Sequence, residues 1–173
     1  ELSLAEEPDL DVLLLSGESI SEMLRSFVSE CCPLNLLLIE NKDKNLPDGI
    51  KKISTAGRDD IHGRLLGRTA VDSEEFLRIG ILDYIMGRYD EALKYFKEAL
   101  RRATQMGPVL NALGVVSYGR GKIDPAIAYL KEAVREAGMD MALLAAANRN
   151  LAILYQMKGE FGQAAQSTVS TIQ

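Results

Sequence analysis

The side chains in this sequence with chemistry to offer are one histidine, two cysteines and a short serine–glycine turn. His62 stands close to Asp59 and Asp60, which puts three donor side chains on one short stretch. A closed metal site draws its ligands from more than one segment, and a His-pair site needs a second imidazole. The cluster is therefore read as an ordinary loop. Cys31 or Cys32 with His62 would make a thiol and base pair of the kind nucleophilic catalysis uses. No flanking basic run marks either thiol as activated, and adjacent cysteines close only a strained disulfide ring. Two buried thiols are the simpler reading, and they fit a reducing, cytoplasmic compartment. The turn Ser16-Gly17-Glu18-Ser19 precedes a helix signature, where an anion can rest on free N–H groups. It has a single glycine and no lysine, and Glu18 would repel a phosphate. No catalytic residue, metal ligand or cofactor is expected, and the protein is read as non-enzymatic.

The bulk numbers agree with a binding protein. The chain has 173 residues, 47% apolar and 26% charged, with a net charge of −5. That is globular composition, in a length that suits one domain with a small annex. Residues 1–72 carry 14 acids against 8 bases, and residues 73–173 carry 11 against 12. Neither part has the basic excess of a phosphate-backbone binder, so nucleic acid is not an expected partner. No apolar run is long enough for a membrane span. The first residue is Glu1 rather than Met, which reads as a trimmed N-terminus.

The elements that would position a binding surface lie in the second half, where the sequence repeats. Gly87, Gly121 and Gly159 are each followed two residues later by Tyr89, Ile123 and Phe161, and five residues later by Ala92, Ala126 and Ala164. Upstream, Phe76, Leu110 and Asn148 head matching segments. Three residues after them come Ile79, Leu113 and Leu151, then Gly80, Gly114 and Ala152. The copies are 34 and then 38 residues apart, the difference lying in an insertion near Gly138–Ala142. Each glycine suits the left-handed residue that ends a helix, and Gly or Ala in the first helix lets a partner approach closely. Asp90 and Asp124 are expected as N-caps, with Pro125 next to the second of them. Ala92, Phe96 and Ala99 are expected on the inner face of the second helix, with Lys94 and Lys97 in solvent.

This pattern resembles the tetratricopeptide repeat, a helix–turn–helix unit of 34 residues. The resemblance covers residues 73–173, in units of about 73–106, 107–140 and 145–173. It implies a mainly α fold, a solenoid of three helix–turn–helix units. The family's aromatic after the first-helix glycine falls in register only at Tyr155, since Asp83 and Ser117 stand there in the other units. The last unit ends in polar STVSTIQ, with Thr168 and Thr171 at places that are usually apolar.

Residues 1–72 do not share the repeat. Asp11–Leu15 reads as a strand, Ser19–Glu22 as a capping box opening a helix, and Leu34–Glu40 as a buried strand after Pro33. Strand–helix–strand is the economical expectation for this N-terminal annex, and an all-helical one stays open. Residues 49–68 are basic and read as a linker or a solvated helix.

The resemblance implies a concave groove lined by the first helix of each unit. Matching positions places Leu77, Ile81 and Tyr84 there from the first unit, then Asn111, Val115 and Tyr118, then Arg149, Ile153 and Gln156. Ile81, Val115 and Ile153 would form an apolar stripe suited to a peptide or amphipathic helix of another protein. Leu77 and Ile81 stand where the carboxylate-clamp subgroup has Lys and Asn, which disfavours acidic chaperone tails. The expected function is a protein-interaction scaffold, and Ile81→Arg or Val115→Arg should abolish partner capture without unfolding. Self-assembly through the open last unit into a homo-oligomer is the alternative, and small-ligand or nucleotide binding by the annex a third.

Overall fold

The computed structural model describes residues 38–39 and 72–169. Among them six helices follow in order: α1 (Ser73–Ile85), α2 (Tyr89–Arg102), α3 (Gly107–Gly119), α4 (Ile123–Glu136), α5 (Met141–Met157) and α6 (Phe161–Val169). Each odd-numbered helix packs on the even-numbered one after it, and each pair packs on the next. The first helices of successive pairs also meet, α1 on α3 and α3 on α5. Within the first pair the chain doubles back, so that Ser73 Oγ at the start of α1 donates to the Ala99 carbonyl near the end of α2, at 2.9 Å.

The turns inside the pairs are one motif built three times. Gly87, Gly121 and Gly159 have φ of 75°, 74° and 75°, the left-handed conformation expected of them. In each turn the glycine N–H donates to the carbonyl three residues back, that of Tyr84, Tyr118 or Gln156. The next N–H (Arg88, Lys122 or Glu160) donates to the carbonyl five back, at 2.8–2.9 Å. This pair of bonds satisfies carbonyls that a helix end would otherwise leave open.

Two expectations about the helix starts change. Asp90 and Asp124 are not N-caps: α2 and α4 begin two residues earlier than such caps would require, after Arg88 and Lys122, and place both carboxylates inside the first turn. From there they reach the next pair's turn, where Arg120 Nε lies 2.8 Å from Asp90 and Lys158 Nζ 3.0 Å from Asp124. These exposed pairs join equivalent positions of successive repeats, and as exposed ion pairs they contribute little to stability. The side chains that do cap helices are Asp72, accepting from Glu75 N–H at 2.8 Å, and Asp140, accepting from Leu143 N–H at 3.0 Å.

The insertion before the third unit is one added helical turn. The connections between pairs are residues 103–106 and 137–140, of equal length, whereas α5 has 17 residues and α1 and α3 have 13 each. Four residues are close to one turn, so the added length returns the helix face to register.

Close packing follows the small residues. A methyl group on Gly80 would stand 2.4 Å from Phe96 Cε1, and one on Gly114 would stand 2.6 Å from Leu130 Cγ. Glycine is what lets α1 meet α2, and α3 meet α4, at that distance. Ala92, Phe96 and Ala99 are fully buried and Lys94 and Lys97 exposed, as the periodicity of α2 requires. Asp83, standing where the family aromatic was expected, is buried and forms an ion pair with Arg88 (Nε to Oδ1, 3.2 Å) at an angle that does not make a hydrogen bond. Ser117, at the equivalent place, turns inward and donates to the Leu113 carbonyl at 2.7 Å.

The expected strand–helix–strand annex lies outside the described residues except at Leu38 and Ile39. There the strand expectation fails, because Ile39 has 3₁₀ geometry. Its N–H is donated to a side chain of α5 rather than to a neighbouring strand. The expectation that this run is buried holds at Ile39, which joins the core. Thr171 also lies outside the described residues.

Candidate interaction surface

The nine positions expected to line a groove fall on α1, α3 and α5, and those helices do lie side by side. Their exposure grades along the array. Leu77, Ile81 and Tyr84 of α1 are buried, as are Asn111 and Val115 of α3, while Tyr118 is half-buried. On α5, Ile153 is half-buried and Arg149 and Gln156 are exposed. Ile81 and Val115 have no exposed surface and belong to the same core cluster as Ile39, with Ile153 packed against its side. The apolar stripe is thus present in position and closed to solvent along α1 and α3. Arginine at Ile81 or Val115 would be buried without a partner, so those substitutions would unfold the protein rather than test a surface.

Polar groups on this face are arranged for hydrogen bonding. Asn111 of α3 and Asn150 of α5 are both buried, and Asn150 Nδ2 donates to Asn111 Oδ1 at 2.9 Å. Asn150 Oδ1 in turn accepts the main-chain N–H of Ile39 at 3.0 Å, across 111 positions of sequence. A buried amide side chain must find such partners, and here they tie two inner helices to a segment from outside the repeats. Asn150 was not among the expected residues. Its signal in the sequence was an asparagine of low helix propensity between Arg149 and Leu151, in a mostly apolar helix.

Tyr84 and Tyr89 close the turn end of the first pair, with ring centroids 5.4 Å apart. Gly119 makes room for them, since a methyl there would lie 2.9 Å from Tyr89 and 3.2 Å from Tyr84. At the opposite end a cavity of about 680 Å³ opens between the starts of α1, α3 and α5. Leu77 and Val109 line its apolar part, and Asp72, Glu74, Arg102 and Asp140 its polar part. Among the described residues no group of three His, Cys, Asp or Glu is placed to hold a metal ion. None of the described helices is long and apolar enough to cross a membrane.

Residues 72–137 match the family model described as tetratricopeptide repeat. The match spans α1 to α4, and the third pair, beyond it, repeats the same turn hydrogen bonds. No curated protein matches the chain.

Proposed function

We propose that this chain, whose residues 72–137 belong to the tetratricopeptide repeat family, is a non-enzymatic interaction module that holds a segment of another protein on the face shared by α1, α3 and α5. Tetratricopeptide repeats generally mediate contacts between proteins. The observation that carries the reading is the capture of Ile39, a residue outside the repeats, by the Asn150–Asn111 pair. A surface that takes a segment from outside the repeats by its main chain and an aliphatic side chain has what peptide recognition needs. In this reading the nine groove positions divide by access. Arg149, Ile153, Gln156 and Tyr118 meet the partner first, and Leu77, Ile81, Tyr84, Asn111 and Val115 shape the floor.

A photo-crosslinking residue distinguishes the faces. Placed at Arg149 or Gln156 in the source cell, it should trap one partner that the same residue at Lys94 or Lys97 does not, and Ile153→Arg should remove that adduct. Equal adducts from both faces would defeat the proposal.

A second reading, self-assembly through the last pair, draws on the exposure of Phe161, Met157 and Val169, at 70%, 53% and 55%. Apolar side chains exposed at the end of an array are where a further unit or a second copy would stack. Sedimentation over a wide concentration range decides it, since a monomer throughout excludes assembly.

A further inference from the structure

We infer that a cavity of about 240 Å³ between α4, α5 and α6 is a binding site for a carboxylate carried on a short apolar stem. None of the nine groove positions lines it, and the interaction reading above is independent of it. The site is built around a departure from the repeat. Phe76 and Leu110 fill the equivalent place in the first two units with buried apolar side chains, whereas the third unit has Asn148. Asn148 is 3% exposed, and its Nδ2 has no hydrogen-bond partner. A buried donor left unpaired is costly, and an ion, a water or a ligand is what completes such a group.

The walls of the cavity select the occupant. Lys131 of α4 brings an ammonium group to it, 5.8 Å from the centroid of the Tyr155 ring. Among the described residues Lys131 has no carboxylate partner, and no acidic residue lines the cavity. One positive charge without a counter-charge in the wall favours an anion. Leu151 and the Tyr155 ring supply an apolar wall for a hydrocarbon stem. Ser167 adds no donor, since its Oγ already donates to the Gln163 carbonyl at 3.0 Å. The Asn148 amide is a two-fold rotor about χ2, so a half-turn exchanges its two ends and presents the NH2 group to the cavity. A carboxylate then accepts from this amide through one oxygen and from the ammonium through the other. Pockets for drug-sized ligands span roughly 300–1,000 Å³, so a smaller cavity takes one group the size of a side chain rather than a cofactor.

Propionate is the probe, titrated into the isotope-labelled full chain at an ionic strength held constant with sodium chloride. The readout is the side-chain amide signal of Asn148 in heteronuclear NMR spectra. Propionate should shift that signal saturably, and propionamide, of the same shape without the charge, should bind at least about tenfold more weakly. Lys131→Met should weaken propionate by about fivefold or more. Asn148→Leu, followed at the main-chain amide of Leu151, should abolish the response while the fold is kept. Equal binding of propionate and propionamide, or of propionate to the wild type and Lys131→Met, overturns the carboxylate assignment. The absence of any saturable shift means that water alone fills the cavity, and the inference fails. A capped glutamate, N-acetylglutamate N-methylamide, separates the sources of the group. Tighter binding than propionate supports a carboxylate borne by a partner chain, and weaker binding supports a free small acid.

Discussion

Phe76 in α1 and Asn148 in α5 hold equivalent places in the first and last repeats, and their surroundings differ sharply. Phe76 stacks on Tyr95 with ring centroids 6.3 Å apart, and Arg102 Cζ lies over the Phe76 ring, 4.7 Å from its centroid. Asn148 is as buried as Phe76, but its Nδ2 has no hydrogen-bond partner, and it borders a cavity of about 240 Å³ with Lys131, Leu151, Tyr155 and Ser167. The last helix follows suit. In α2, Ala92, Phe96 and Ala99 are buried, whereas in α6 only Ala164 is. Both pairs nevertheless share the same glycine turn to within a degree in φ. A turn is made by local hydrogen bonds and one permissive residue, so it survives wherever those residues stand. Packing depends on the volume of side chains from two helices at once, and it fails where only one of them is large.

The largest effect should separate the two pairs by their aromatic residues. Phe96→Ala should cost about 3–5 kcal/mol in urea unfolding, because the ring is fully buried against Gly80. Phe161→Ala should stay within about 0.5 kcal/mol, because that ring is exposed. A similar cost for both would mean that α6 packs as closely as α2.

Glycines divide the same way, with the sign reversed between the pairs. Gly114→Ala should destabilise by about 1–3 kcal/mol, since its methyl would meet both Leu130 and the Ala126 carbonyl. Gly162→Ala meets nothing within 4 Å and should stabilise α6 by about 0.5–1 kcal/mol. Thermal midpoints moving in opposite directions are the expected result.

A third substitution would make the last pair more like the middle one. Asn148→Leu places there the residue found at Leu110, fills part of the cavity and removes a buried amide lacking a partner. It should raise stability by about 1 kcal/mol. A loss instead would indicate that Asn148 Nδ2 is satisfied in solution by water.

The smallest effect concerns the link between the middle and last turns. Lys158 has its pKa raised above the usual lysine value of 10.5, chiefly by its hydrogen bond to Asp124 and then by that to Glu160. A lysine raised on folding contributes fully below its unfolded value and loses that contribution as pH rises through the folded one. As the pH rises above 10.5, the wild type should lose a small increment of thermal stability that Lys158→Met lacks. Identical pH profiles would show that the pair contributes nothing.

What was legible in the sequence follows from the range over which each feature is decided. The three turns, the inner face of α2 and the close approach at Gly80 and Gly114 were readable, because each depends on residues at short, repeated spacing. The caps were misplaced by the same logic. Asp90 and Asp124 look like caps to a local reading, but the helices start two residues sooner, directly after the turn's two hydrogen bonds, and leave the carboxylates for the next unit. The groove positions were readable as positions on α1, α3 and α5, but not their exposure.

By itself, then, the sequence determined the repeat, its glycine turns and the order of the helices, since these are matters of local geometry and periodic burial. Only the tertiary structure decided that the inserted residues lengthen α5 and that Asp90 and Asp124 bridge units. It alone decided that Asn150 joins Asn111 to Ile39. That last contact spans 111 positions and uses a main-chain N–H, a group every non-proline residue carries, so no pattern of side chains could have announced it.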